Sequence, residues 1–256
     1  MAYEEESFMG SGDLYIDVFD EDGNRTGELD VGNAKEFSIS APSVEKKELL
    51  GYRQNNYGRT IKSVITKIEQ ELKFTLTDIN RSNLALAMFG QDVDYSQSAG
   101  SNTSSPETVI AKLDKWSKLK NRNLDTASPP VVKDSSDTTT YTEGEDYEID
   151  YQVGRIRALK GGSITDSEEL HVGCTWLAQS GFEVKGLQVQ KIEAFLRLVG
   201  KDQANSRSCE VIVYKAEITP SGDIGWLTDD FATLGFSAKI IDTVDGSWNV
   251  LFYQEG

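Results

Sequence analysis

Histidine and cysteine are almost absent from this chain, which contains one histidine and two cysteines among 256 residues. No Gly-x-Ser-x-Gly turn exists for His171 to serve in a catalytic triad, so we expect it to be a structural or surface residue. Cys174 and Cys209 lack metal-binding spacing, and we expect both thiols to be reduced and buried. No glycine-rich phosphate loop precedes a helix. The sequence therefore predicts no enzyme, cofactor or metal site.

Positive charge is also scarce. The 26 Lys and Arg residues stand against 42 Asp and Glu, which gives a net charge of −16 and a pI near 4.5. Such a surface repels nucleic-acid phosphates and anionic membranes. Apolar runs stay well short of the roughly 18 residues that a membrane-spanning helix needs. The acidic start, Met-Ala-Tyr-Glu-Glu-Glu, lacks the basic and apolar regions of a signal peptide, so we expect a chain kept in the cytoplasm.

Carboxylates are abundant at residues 20–24, where the sequence reads Asp-Glu-Asp-Gly-Asn. A calcium loop would need Gly where Arg25 stands and a bidentate Glu near Leu29 and Asp30. We interpret the cluster as a solvated hairpin turn, because Asp-Gly between apolar runs is a strong turn signal.

The clearest local pattern lies at residues 68–90. Apolar residues alternate with polar ones from Ile68 to Leu76, with Gln70 as the exception, so one strand with one buried face is predicted. Asn80 is a good N-cap for the helix that we place near residues 80–89. Leu84, Ala87 and Met88 share one helical face, and Gly90 stands where a left-handed C-terminal residue is expected.

Alternation and turn residues predict a mainly β chain. Further strands are expected at residues 14–19, 36–40, 147–151, 170–177, 191–198, 210–218, 231–241 and 248–253, and one more is expected to start near Ile61. In the strand at 210–218 the buried face should carry Ile212, Tyr214, Ala216 and Ile218. We expect residues 1–90 and 181–256 to form the core, with residues 91–180 as a β-rich insert. Within the insert, residues 95–107 are expected to be a linker, and residues 112–120 fit a helix or a strand equally well.

Residues 44–60 form one of the few locally basic stretches. They combine four cations with apolar and aromatic side chains and two glycines. Loops of this length are usually functional or disordered. Two interpretations remain open: a surface that orders against an acidic partner, or a flexible exposed hairpin tip. The candidate contact residues are Leu49, Leu50, Tyr52, Arg53, Tyr57 and Arg59.

Four segments in this order resemble the tail tube (major tail) proteins of long-tailed bacteriophages. The first is Gly-Asn-Ala-Lys-Glu-Phe-Ser-Ile at 32–39, and the second is Phe-Thr-Leu-Thr-Asp-Ile-Asn at 74–80 with Asn-Leu-Ala-Leu-Ala at 83–87. The third runs through residues 141–150 with Gly154 and Ile156. The closing pair is Leu-Arg-Leu-Val-Gly-Lys at 196–201 and Asp-Asp-Phe-Ala-Thr-Leu at 229–234.

This resemblance implies a tail-tube-type β-sandwich or barrel with one flanking helix. Six copies would form a ring, and stacked rings would form the tube through which DNA passes into the host without specific binding. The segment at 44–60 would contact the neighbouring ring, and the insert would be an outward-facing decoration or an extra contact between subunits. Implied partners are other copies of the chain and the tape measure, tail tip and tail terminator proteins. A tube wall without cations forms no salt-sensitive ion pairs with DNA phosphates, so we expect the lumen to be acidic and polar.

An acidic β-sandwich binding module is the alternative, either carbohydrate-binding or capsid-decorating. Sugar binding would need an exposed aromatic platform. Trp116, Trp176, Trp226 and Trp248 are scattered singly, which is more typical of core residues.

Overall fold

The structure is a computed structural model that describes residues 7–253. The expected absence of a signal peptide rests on residues 1–6, which lie outside the described residues. The described part is mainly β with one helix, as predicted. In chain order its elements are β1 Gly10–Val18, β2 Leu29–Asp30, β3 Ala34–Ile39, β4 Ser43–Leu50, β5 Thr60–Glu69, β6 Glu71–Leu76, α1 Arg81–Ala87, β7 Gln91–Gln97, β8 Gly100–Ser101, β9 Glu107–Ile110, β10 Trp116–Lys118, β11 Val131–Asp134, β12 Tyr147–Asp150, β13 Arg155–Ala158, β14 Glu169–Gly173, β15 Thr175–Trp176, β16 Gln179–Lys185, β17 Ile192–Asp202, β18 Arg207–Ser221, β19 Leu234–Ile240 and β20 Trp248–Tyr253.

The chain divides into two compact units. Among the described residues, unit 1 contains those up to Asp92 and those from Val184 onward, and unit 2 is Val93–Glu183. The sequence placed these boundaries at 90/91 and 180/181, two and three residues earlier. Strands β7 and β16, which pair with each other, lead the chain out of unit 1 and back. The helix α1 is not long and apolar enough to cross a membrane.

One large antiparallel sheet forms the core of unit 1. Its strands follow the order β2-β1-β17-β18-β19-β6-β3, and β20 pairs with the first half of the long strand β18. The buried face carries aliphatic residues of β1, β6, β17, β18 and β19 around the stacked rings of Phe74 and Phe236, whose centroids lie 4.7 Å apart. Alternating apolar residues on these strands therefore supply one continuous core.

A β-bulge changes the buried face of β18 from the one predicted. Ala194 pairs with Ala216, but Leu196 pairs with Val213, so β18 has one extra residue opposite Phe195. Beyond a bulge, the side chains that would have pointed to one face of the sheet point to the other face. Val213 is therefore fully buried, and the prediction that Ile212 and Tyr214 share the buried face with Ala216 was wrong.

Gln70 separates two strands where the sequence predicted one. Strand β5 ends at Glu69 and β6 begins at Glu71. The Gln70 side chain donates to the Ser40 carbonyl at 2.8 Å and accepts from Trp248 Nε1 at 2.8 Å. Ile68 is 63% exposed and does not share the buried face of Leu72 and the later residues, so that part of the prediction was wrong.

Helix α1 begins as predicted and ends differently. The Asn80 side chain accepts from the Asn83 amide at 2.9 Å, which confirms the N-cap. Ala87 packs against the core as predicted, but Leu86 and Phe89 pack beside it in place of the predicted Leu84 and Met88. Phe89, with φ of 46°, is the left-handed residue, and not Gly90. Glycine is required at position 90 for space, since a Cβ there would lie 2.8 Å from Val184 Cγ1.

Unit 2 consists of short antiparallel strands around a second core. Two three-stranded sheets, β10-β13-β12 and β11-β14-β9, enclose it. The supposed linker at 95–107 contains the end of β7, strand β8 and the start of β9, so its prediction was wrong. The ambiguous segment at 112–120 contains strand β10. The turn at Gly154 has φ of 70°, and an added Cβ would lie 1.9 Å from the Asn121 carbonyl oxygen.

Candidate functional site

The β4–β5 hairpin, residues 43–69, has no buried side chain. Its two strands pair only with each other among the described residues, and Glu69 alone is half-buried on them. Residues 44–60 are therefore not a long irregular loop, because 44–50 form β4 and only 51–59 form the connection. A strand exposed on both faces shows no apolar alternation, which is why the sequence did not predict β4.

The two faces of the hairpin differ in charge. Directly opposed residues share a face, and the register pairs Lys47 with Val64 and Leu49 with Lys62. What we call the basic face carries these four residues, whereas the neutral face carries Val44, Lys46, Glu48, Leu50, Ile65 and Ile68. Glu45 and Lys67 balance each other at the base of the basic face, with 3.8 Å between Oε1 and Nζ.

Aliphatic side chains are exposed on both faces. Seven of them are between 40% and 63% accessible, namely Val44, Leu49, Leu50, Ile61, Val64, Ile65 and Ile68. An isolated two-stranded hairpin is marginally stable in water. Exposed apolar side chains concentrated on a two-stranded element favour contact with a partner.

The hairpin tip is ordered by hydrogen bonds and carries two aromatic rings. The Gly51 amide donates to the Arg59 carbonyl at 2.7 Å, and the Arg53 amide donates to Asn56 Oδ1 at 3.0 Å. Tyr52 and Tyr57 meet edge to face with centroids 6.3 Å apart, and each is 75% exposed. The local hydrogen bonds favour the ordered alternative over a flexible tip.

The six candidate contact residues all lie at the outer end of this hairpin, and all are exposed. They do not form one patch, because neighbouring residues of a strand point to opposite faces. Leu49 lies on the basic face and Leu50 on the neutral face. The sequence missed the equally exposed Val64, Ile65 and Ile68 of the second strand.

The net charge of the hairpin is opposite in sign to that of the rest of the chain. Residues 43–69 contain six basic and three acidic residues, a net charge of +3, whereas the remaining 229 residues carry −19. No carboxylate in residues 7–253 lies within ion-pair distance of Lys46, Lys47, Lys62 or the two tip arginines. At the hairpin base, hydrogen bonds from Lys239 and Lys67 hold the pKa of Glu69 below its usual value. The uncompensated cations favour an acidic partner.

An acidic groove lies elsewhere in unit 1, between the β1 end, helix α1 and the start of β17. It encloses about 590 Å³. Its floor is apolar, with Val18, Phe19, Ala85, Leu86, Val189 and Ile192, and its rim carries Asp20, Glu21, Asp92, Lys191 and Glu193. Sequence reasoning missed this groove because its walls come from segments far apart in the chain.

Another apolar groove, of about 540 Å³, lies near the open edges of the large sheet. Residues of β3 and β20 line it together with Phe8, Leu198 and Val211. Beyond their partners β6 and β18, the outer edges of β3 and β20 are unpaired within residues 7–253. Trp248, Val250, Leu251 and Phe252 are 37–53% exposed. Unpaired apolar edges are templates for pairing with another chain.

The tryptophans are mostly not core residues, contrary to prediction. Trp226 is 68% exposed, and Trp116 and Trp248 are 38% and 37% exposed. Trp176 packs partly against the core of unit 2.

The buried carboxylates of unit 1 are structural. Burial alone would raise the pKa of Asp17, but Arg25 Nε at 2.6 Å and the Gly27 amide at 2.7 Å lower it overall. Asp202 accepts from the Met9 and Ala204 amides, both at 3.1 Å. In residues 7–253 no group of His, Cys, Asp and Glu is placed to hold a metal ion.

The cysteines and the histidine occupy the places predicted for them. Cys174 and Cys209 are free and buried. Burial raises the pKa of the Cys174 thiol to about 11, which makes it unreactive at neutral pH. His171 Nδ1 lies 2.9 Å from Asp137 Oδ1 on the surface of unit 2.

Comparison with known proteins identifies a matching family whose description names no function. Residues 7–245 match the family model described as "Protein of unknown function UCP028589". No curated protein matches the chain. The match covers unit 2, the hairpin and unit 1 apart from the segment that contains β20, so the function has to be argued from the surfaces described above.

Proposed function

The chain belongs to the UCP028589 family, whose function is unknown, and we propose that it is a structural subunit that assembles with copies of itself into stacked rings. The assembly is the tail tube of a long-tailed bacteriophage, built of hexameric rings. The tube conducts DNA into the host.

The observation that carries the proposal is the β4–β5 hairpin. Seven half-exposed aliphatic side chains lie on a two-stranded ribbon that makes no core of its own. Covering such side chains contributes roughly 1 kcal/mol each, in proportion to the apolar area removed from water. A partner that covers them recovers this free energy, and the chain itself supplies that partner when it stacks.

The open sheet edges support the ring. The large sheet ends at β2 on one side and at β3 on the other, and β20 adds a third edge beside β18 that is apolar and exposed. Pairing one edge with a different edge of the next copy is a heterologous contact, which generates a ring when the rotation closes. Closure would pair the apolar edge strand β20, which removes its aggregation hazard.

The charge distribution supports a conduit. A ring of subunits that each carry a net charge of −16 repels DNA, provided that cations do not line its central channel. The hairpin holds six of the cations, and in the proposed assembly neighbouring subunits cover them. The lumen is then acidic and polar, and unit 2 faces outward. Other partners are the tape measure, tail tip and tail terminator proteins, as the resemblance implies.

Negative-stain electron microscopy of the purified chain at low and high concentration tests the proposal. Tubes or stacked six-fold rings are expected. Tyr52→Ala and Arg53→Glu should shorten or dissociate the tubes, because both side chains are exposed on the hairpin tip. A strictly monomeric particle at every concentration would contradict the proposed function.

A glycan-binding module is the second candidate, and the observation that favours it is Trp116. Its ring is exposed on β10, and the guanidinium carbons of Arg155 and Arg157 lie 4.7 Å and 4.9 Å from its centroid. A sugar ring could bind on the area of the 38% exposed indole that the two guanidinium groups leave uncovered, close to their hydrogen-bond donors. A glycan-binding screen that compares the wild type with Trp116→Ala separates this candidate from the structural one.

A further inference from the structure

Resting on the proposed function, we infer that the basic face of the hairpin of one copy docks in the acidic groove of a second copy. The contacting residues are Lys47, Leu49, Lys62 and Val64 on the first copy. On the second copy they are the apolar floor and the rim around Glu21.

The two surfaces have opposite charge patterns. On the basic face, two lysines without carboxylate partners in the described residues flank a centre formed by Leu49 and Val64. In the groove, four acids and Lys191 surround an apolar floor that includes Phe19 and Leu86. Docking would place apolar atoms against apolar atoms and cations against the rim, which gives the contact both affinity and a fixed register.

The rim contains acids that are free to pair. Within residues 7–253 no Lys or Arg lies within ion-pair distance of Asp20 or Glu21. Asp20 Oδ1 is engaged by the Asn24 amide at 2.7 Å, so it shapes the turn, and Glu21 is the acid free to move. By contrast, Asp92 pairs with Arg81, and Glu193 pairs with Lys191 and with Lys215. Glu21 is therefore the residue on which the electrostatic contact depends most.

The competing receptor within unit 1 is the apolar groove beside β3 and β20. Its lining contains one cation and one acid, Lys35 and Glu36, so it offers no net attraction to the basic face. The neutral face of the hairpin suits that groove better. A contact between two different surfaces of identical copies is heterologous and propagates from copy to copy, as stacking requires.

Charge reversal tests the electrostatic part of the contact. Lys47→Glu with Lys62→Glu should raise the protein concentration needed for assembly about tenfold. Glu21→Lys should weaken assembly in the same direction and, combined with the double reversal, restore assembly to within about twofold of the wild type. The matched control is Lys115→Glu with Lys160→Glu, which changes the net charge equally at exposed positions of unit 2 and should leave assembly unchanged. Weakening by the control as large as that by the hairpin variant would overturn the inference.

Cross-linking tests the geometry. Copies carrying Leu49→Cys are mixed with copies carrying Val189→Cys under mild oxidation, and a disulfide-linked dimer is expected. The two native cysteines are buried and do not compete. The control mixture replaces Val189→Cys with Val250→Cys in the apolar groove. Cross-linking through Val250 alone, in a protein that still forms tubes, would overturn the inference and leave the proposed function standing. A wild type that never assembles would refute both.

Discussion

Replacing residues 43–69 with an Asn-Gly turn should abolish assembly and leave unit 1 folded. Strands β3 and β6 remain partners, since the Ser40 amide donates to the Glu71 carbonyl at 2.8 Å outside the removed segment. The new connection has about five residues, which is within the usual range for a hairpin loop. Because no removed side chain is buried in the core, we expect the unfolding free energy to change by less than about 1 kcal/mol.

The loss to assembly should be much larger. Fully burying an aliphatic side chain contributes about 1.5–3 kcal/mol, so covering the exposed half of seven is worth on the order of 5–10 kcal/mol per hairpin. Ordering and desolvation costs offset part of this gain. A net loss of about 4 kcal/mol in stacking free energy would still raise the concentration at which rings stack about a thousandfold. The truncated chain should therefore stay dispersed wherever the wild type forms tubes.

Sedimentation velocity and thermal unfolding of the same samples measure both effects. A finer comparison uses Leu49→Ser with Val64→Ser against Val131→Ser with Leu177→Ser. The control residues are 46% and 47% exposed in unit 2, close to the 55% and 51% of the hairpin pair. Only the hairpin pair should reduce assembly. Normal tubes from the truncated chain would refute the argument, and so would a large loss of its thermal stability.

Three further predictions concern stability. Burial raises the pKa of Glu107 above 4.5 despite the Lys120 amide, so the folded state binds more protons than the unfolded state above that pH and loses stability as the pH rises. Glu107→Gln should remove this contribution, so the melting temperature of the variant relative to the wild type should increase as the pH rises above about 4.5, and a difference that does not change with pH would contradict this. Asn80→Ala should cost about 1 kcal/mol through loss of the N-cap, and Asn80→Ser should recover most of it in denaturant titrations. Phe236→Ala should cost about 3–5 kcal/mol, because its ring stacks on Phe74 in the core; a loss below 1 kcal/mol in the same titrations would contradict the packing.

Local patterns predicted the elements that depend on local contacts. The alternation at Leu72, Phe74 and Leu76 and the cap at Asn80 were confirmed, because a strand face and an N-cap are set by residues close in sequence. The buried face of β18 was not predictable in this way. Its bulge is a property of the pairing with β17, and alternation read along one strand carries no information about an extra residue opposite Phe195.

The hairpin and the groove also differ in how far the local sequence predicts them. Basic and aromatic residues near Tyr52 and Arg53 pointed to a contact surface, because their composition departs from that of the acidic chain around them. The strand pairing that joins Leu49 to Lys62 gave no periodic signal, since both faces are exposed. The groove is assembled from a turn, a helix and a strand start that are distant in sequence, so composition alone could not bring Glu21 and Val189 together.

The two-faced hairpin also bears on how copies are arranged in the proposed assembly. One neighbour that covers the basic face leaves Val44, Leu50, Ile65 and Ile68 of the neutral face in water. If the copies stacked in a single column, each hairpin would have one neighbour, and about half of its apolar surface would remain exposed. A ring offers two adjacent subunits to each hairpin of the next ring, one for each face. Ile65→Lys on the neutral face should therefore weaken stacking as Lys62→Glu on the basic face does, with the two losses adding in a double mutant, as expected for contacts to separate subunits. Unchanged stacking in Ile65→Lys, measured by sedimentation velocity, would mean that a single neighbour suffices and would remove this reason to prefer rings.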